Sequence, residues 1–169
     1  MNITTIVLGN ICSLLAMGTD SLSASRKTVK SMLWIQNISQ FIYGISSLLL
    51  KGYSATVQNI ICILRNLTVI KGIKSKLVAW FLLILGVVVG LLFNNIGFAG
   101  LLPIIANLQY GLVVFNFKDN ETVIKISFLI LTIMFVFFSV AVLNFVGVCT
   151  NSIVAITTVV SLIKFRKRK

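Results

Sequence analysis

The sequence predicts an all-α polytopic membrane protein. The expected plan is seven transmembrane helices in a 3+1+3 parallel-repeat arrangement, with the N-terminus outside and the C-terminus inside. Three observations carry that expectation. Of the 169 residues, 58% are hydrophobic and only 11% charged, against roughly 25% charged in a soluble domain. The apolar residues fall in continuous runs of membrane-spanning length. Thirteen of the fifteen Lys and Arg residues gather in alternate loops and the tail, as the positive-inside rule requires.

The first span reads as about Ile3 to Thr19, ending at Asp20. No basic region precedes it, so it is expected to be a retained helix rather than a cleaved signal. A linker from Ser21 to Ser31 holds Arg26, Lys27 and Lys30. The second span covers about Met32 to Leu50. After the turn Lys51-Gly52-Tyr53, the third runs from about Ser54 to Ile70. Lys71, Lys74 and Lys76 mark the next loop. The fourth span, about Leu77 to Phe93, is almost purely apolar. Following Asn94-Asn95-Ile96-Gly97, the fifth covers about Phe98 to Phe115 and contains the only proline, Pro103. The polar loop Asn116 to Glu121 leads to the sixth, about Val123 to Asn144. The seventh, about Val146 to Ile163, precedes a basic tail. Strands are excluded, because an open sheet leaves its backbone unsatisfied in lipid. A barrel needs short alternating segments, and these runs are continuous.

With the N-terminus outside, the inner side collects Arg26, Lys27, Lys30, Lys71, Lys74, Lys76, Lys118, Lys125, Lys164 and the tail Arg166-Lys167-Arg168-Lys169. The outer side has Lys51 alone, and Arg65 lies within a span. The net charge of +12 therefore reads as a topology signal that also meets anionic headgroups. Nucleic acid is not expected as a partner, because the cations sit at segment ends and not on one face. An odd linking helix would give two triplets of the same orientation. The expected division is 1–73, a first triple-helix bundle; 74–97, the linking helix; and 98–169, a second bundle with a basic tail. Each triplet has a basic loop between its first two helices, a short turn with Gly52 or Gly147 between its last two, and a basic cluster at its end. The fourth helix has no polar face and can look at lipid.

The polar residues within the spans form stripes. Gln36, Gln40, Tyr43 and Ser47 share a face of the second helix, and Gln58, Cys62 and Arg65 a face of the third, with Asn59 and Asn66 beside it. Pro103, Asn107 and Tyr110 align in the fifth, and Asn151, Ala155 and Thr158 in the seventh. Such stripes avoid lipid. They either join helices, at about 0.6 kcal/mol for each hydrogen bond, or line a common cavity. Arg65 has three readings: snorkelling to the inner surface, bonding to an amide or helix carbonyl, or meeting a ligand. Its nearest acid is Asp20, at the end of the first helix. Pro103 is expected to kink the fifth helix, as a static bend or a gating hinge. Cys12, Cys62 and Cys149 suit apolar packing and suggest neither a disulfide framework nor a zinc motif. Three acids, no histidine and no phosphate loop argue against an enzyme, a cofactor or a metal. Proton coupling through a carboxylate within a span is not expected either, since no acid falls inside one.

Asn59, Arg65 and Asn66 before a basic loop, Leu101-Leu102-Pro103-Ile104-Ile105 opening the fifth helix, and Asn151 in a last helix with a basic tail resemble the YgjV-type bacterial inner-membrane protein family. That family is similar, distantly, to the SWEET and PQ-loop transporters. The resemblance implies a three-one-three plan and a cell (inner) membrane location. It also implies a substrate site flanked by asparagines of the third and seventh helices. By position these are Asn59 or Asn66 and Asn151. The Pro-Gln pair that closes the first helix in those transporters is absent here. The function expected is facilitated movement of a small polar solute through a cavity lined by Gln36, Tyr43, Asn59, Arg65, Asn66, Asn107, Tyr110 and Asn151. The alternative is a non-transporting accessory protein that binds a partner or anionic lipid through its basic face. The expected partners are the lipid bilayer and that solute, with a homo-oligomer left open.

Overall fold

In the computed structural model, residues 3–73, 75–142 and 144–166 are described, without the side chains of 165 and 166. Lys74 and the tail residues Lys167, Arg168 and Lys169 lie outside the described residues. The described chain forms seven α-helices and no strand. They are α1 (Ile3–Ala24), α2 (Val29–Leu49), α3 (Tyr53–Ile70), α4 (Lys76–Leu92), α5 (Leu101–Asn116), α6 (Glu121–Ala141) and α7 (Phe145–Arg166). A 3-10 turn, Gly97–Gly100, leads directly into α5.

Four segments are long and apolar enough to cross a membrane by length and composition: Ile3–Ala24, Gly97–Asn116, Glu121–Ala141 and Phe145–Lys164. Helix α4 is apolar but has 17 residues. Helices α2 and α3 are long enough, and their amides and serines dilute the apolar signal.

Local chemistry sets the helix ends. Thr28, Ser75 and Asn120 cap α2, α4 and α6, each side chain accepting a backbone N–H three residues on. Asn144 does the same for α7, accepting from the Gly147 N–H at 2.8 Å. Helix α2 ends with Lys51 at φ 59°. There the Gly52 N–H donates to the Ser47 carbonyl and the Lys51 N–H to Leu48, the pattern of a Schellman cap.

Several expected boundaries move by a few residues: α6 ends at Ala141, so Asn144, expected at the end of the sixth span, caps α7 instead. The linker Ser21 to Ser31 is mostly helix, because α1 continues past Asp20 to Ala24. No glycine or proline stops it there, and Ser39 on α2 donates to the Asp20 carboxylate. The Ser23 hydroxyl then donates to the Met32 carbonyl at 2.9 Å and ties the helix end to α2. Pro103 does not fall mid-helix, because α5 begins at Leu101. In the first turn its missing N–H has no intrahelical partner to lose, and the 3-10 turn before it takes up the change of winding.

Helix α1 packs on α2 and α7, α2 on α3, α3 on α5, α5 on α6, and α6 on α7, closing a ring of six. Helix α4 lies outside, against α3 and α5. Its Gly86 and Gly90 allow that approach: a Cβ on Gly90 would overlap the Gln58 amide nitrogen and stand 2.9 Å from Ile104. The basic loops share one end of the ring, where Lys125 of α6, Ser161 of α7 and the Ala24 carbonyl of α1 are linked in series. At the other end Asn95 donates to the Lys51 carbonyl at 2.8 Å, joining two turns.

The burial pattern is that of a protein in lipid. Trp34, Phe41, Ile60, Leu77, Trp80, Phe137 and Ile156 point outward and exposed, while the buried side chains include more polar and charged residues than apolar ones. An apolar core fills the basic half, around Met32, Leu33, Tyr110, Val114, Ile124 and Phe128.

Candidate functional site

Helix α1 buries a face of small and polar residues, Gly9, Ser13, Ala16, Asp20 and Ser23. These recur every three or four residues and so lie on one side. Helices α2, α3, α6 and α7 turn polar residues toward it, and a cavity with about 40 Å³ of free volume lies between them. Its polar lining includes Ser13, Asp20, Gln40, Tyr43, Asn59 and Asn151. It extends to Ser47 near the end of α2 and to Asn144 at the start of α7, at the end of the ring away from the basic loops.

Three of the eight expected site residues therefore meet in one place: Tyr43, Asn59 and Asn151. The Asn151 amide donates to the Gly147 carbonyl at 2.9 Å and toward Ser139 at 3.4 Å. The Asn59 amide nitrogen is buried without a hydrogen-bond partner among the described residues. The Thr150 hydroxyl of α7 stands beside that of Tyr43 and donates to the Gly147 carbonyl.

The other five form a separate network nearer the basic end. The Tyr110 hydroxyl donates to the Gln36 amide oxygen at 3.0 Å. Arg65 stacks over the Tyr110 ring, 4.6 Å from its centre, an attractive cation–π geometry. Its Nε and Nη2 both donate to the Asn66 amide oxygen, at 3.2 and 3.1 Å, and Nη1 reaches the Asn107 carbonyl at 3.5 Å. The Cys62 thiol donates to the Asn107 amide oxygen at 2.7 Å. Arg65 is only 3% exposed. It does not snorkel, and no ion pair joins it to Asp20. Among its three readings the observed one is bonding to an amide and a helix carbonyl. Gln58 leaves its expected stripe as well, donating to the Gly86 carbonyl of α4 at 2.7 Å.

Two ionisable residues were assigned to helix ends by the sequence and are in fact internal. Asp20 is 5% exposed and lines the cavity, so a carboxylate does lie within a span. The unbroken stripe from Gly9 through Ser13, Ala16 and Asp20 to Ser23 is the readable sign of it. Lys125, expected among the loop cations, is 1% exposed and donates to Ser161 at 3.1 Å. No group of three or more metal-ligating His, Cys, Asp or Glu side chains occurs among the described residues.

A ring of apolar-faced helices around buried polar contacts and a polar cavity defines a multi-pass helical membrane protein. The chain belongs to the YgjV family of bacterial inner membrane proteins, whose sequence profile matches residues 7–169. Comparisons with curated proteins and with solved structures each gave no match.

Proposed function

We propose that the protein facilitates movement of a small polar solute through the cavity between its helices. The observation that carries this is the unpartnered Asn59 amide nitrogen at the cavity wall. A buried donor without an acceptor costs about 1–3 kcal/mol, and a solute with hydroxyl or carbonyl oxygens would recover it. The free volume of about 40 Å³ holds a few water molecules, far less than the roughly 300–1,000 Å³ of a pocket for a drug-sized ligand. Solute entry on this proposal requires the helices to separate.

The packing order supports the division into two triple-helix bundles and a linking helix. Exchanging α1, α2 and α3 for α5, α6 and α7 maps the ring onto itself: α1–α2 becomes α5–α6, α2–α3 becomes α6–α7, and α1–α7 becomes α5–α3. The end with the basic loops faces the cytoplasm by the positive-inside rule. The cavity would then open outward, with the apolar core around Tyr110 and Phe128 closing the inner half.

The purified protein in liposomes tests this, with thermal stabilisation and uptake measured over a panel of sugars, polyols and amino acids. At least one solute is expected to stabilise the protein and enter, with both effects lost in Asn59→Ala and Asn151→Ala. Absence of any solute effect would remove transport.

A second reading, an accessory protein that engages anionic lipid, is favoured by a different feature. A groove of about 490 Å³ between the end of α3, the start of α4 and the end of α5 is lined by Lys76, Lys118, Asn116 and Trp80, a composition suited to a lipid headgroup.

A further inference from the structure

Passage of a neutral solute leaves Asp20 without a role. The chain has three acidic residues. Asp119 and Glu121 stand at the basic end between α5 and α6, whereas Asp20 is buried on the cavity wall. A carboxylate taken into a membrane protein is costly unless something neutralises it. Arg65, the buried cation of the neighbouring network, is committed to Asn66, the Asn107 carbonyl and the Tyr110 ring. Lys125 is bound to Ser161 at the basic end. What faces Asp20 is neutral. Ser39, Gln40 and Tyr43 come from α2, and Asn151 from α7, with Thr150 beside Tyr43. Thr132 and Ser139 of α6 line the same cavity. Of these only Tyr43 titrates. Tyr110 on α5 and Cys62 on α3 lie further off, within electrostatic range.

The surroundings define what could neutralise it. Hydroxyl and amide oxygens of Ser13, Ser46, Gln40, Tyr43 and Asn59 share the cavity with the carboxylate. Hard oxygens carrying one formal charge fit a monovalent cation. Divalent ions take several carboxylates or substrate phosphates, and transition metals take imidazole or thiolate. The free volume of about 40 Å³ admits a single ion with a little water and excludes an organic ammonium of any size. A second, independent feature concerns Asn59, which is 2% exposed and lines this cavity: its side chain makes no hydrogen bond among the described residues, so its amide oxygen, the atom of that group able to ligate a cation, is not spent on the protein. We infer that the base of the cavity is a monovalent-cation site whose charge is supplied by Asp20, filled by either an alkali cation or a proton. The site stands on this geometry alone and is independent of the solute.

The test uses the full-length protein in detergent and needs no solute. Thermal unfolding is followed while choline is replaced by sodium or potassium at constant ionic strength. In a separate series in choline, pH is varied from mildly acidic to neutral. Dependence on sodium or potassium identifies an alkali ion, and dependence on pH alone identifies a proton. Either dependence is expected to vanish in Asp20→Asn and to survive in the double variant Asp119→Asn/Glu121→Gln. Should Asp20→Asn not fold, Ser39→Ala keeps the carboxylate and removes its donor. It is expected to shift the midpoint of the dependence about tenfold, the effect of one hydrogen bond to a charged group. The site is overturned if the wild type responds to neither series, if Asp20→Asn responds as the wild type does, or if Ser39→Ala leaves the midpoint in place.

Discussion

A guanidinium can be buried at Arg65 because its planar fork finds neutral acceptors and a ring face at once. Arg65→Ala removes both and leaves the Asn66 amide oxygen without a donor. It is expected to destabilise the protein by about 2–3 kcal/mol, read as a lower thermal midpoint in detergent. Arg65→Lys keeps the charge but not the fork and should fall between. Tyr110→Phe removes a single hydrogen bond to Gln36 and should cost about 1 kcal/mol. Spacing along each helix told which residues avoid lipid, and all eight expected site residues do turn inward. Spacing could not tell which partner each would meet. That depends on how the helices are rotated against one another, so Tyr43, Asn59 and Asn151 reach the cavity while Gln36, Tyr110, Arg65, Asn66 and Asn107 bond among themselves. Asp20 was hidden for another reason. An acid after an apolar run reads as a helix end, and only its partner Ser39, 19 residues away, makes it tolerable inside.

Among the elements, α4 and α5 depend most on close approach. A Cβ on Gly111 would meet Leu83 at 2.6 Å, and one on Gly90 would meet Gln58 and Ile104. Gly90→Ala and Gly111→Ala are expected to lower stability by about 1–3 kcal/mol through overpacking. Gly18→Ala is the control. Nothing lies within 4 Å of its Cβ position, so it should be neutral or slightly stabilising from helix propensity. Pro103→Ala should change stability by less than about 1 kcal/mol, because a first-turn proline bends nothing. A larger change would restore the kink. Helix number and most boundaries were readable from apolar runs and basic loops, because the bilayer imposes both. The start of α5 was not, because Phe98 to Gly100 carries no polar residue and the 3-10 turn leaves no mark in composition.

At the scale of the whole molecule, the fold places apolar side chains outside and divides the interior into two halves. Toward the basic end, Tyr110, Phe128 and their neighbours pack an apolar core, with Lys125 and Ser161 tying α1, α6 and α7 together. Toward the other end lies the cavity of Asp20, Tyr43, Asn59 and Asn151. The sequence announced a polar interior but not this division, which arises only when six helices close into a ring. On the proposed function these polar residues face a space reachable by water and do not merely join helices. Cysteine accessibility distinguishes the two arrangements. In a background with Cys12, Cys62 and Cys149 replaced, Ser47→Cys, Asn151→Cys and Asn66→Cys are treated in membranes with a small charged thiol reagent. Lys51→Cys marks the turn between α2 and α3. Ser47→Cys and Asn151→Cys are expected to react from the same side as Lys51→Cys, while Asn66→Cys, buried beside Arg65, is not. Reaction at Lys51→Cys with none at Ser47→Cys or Asn151→Cys would contradict the proposed function.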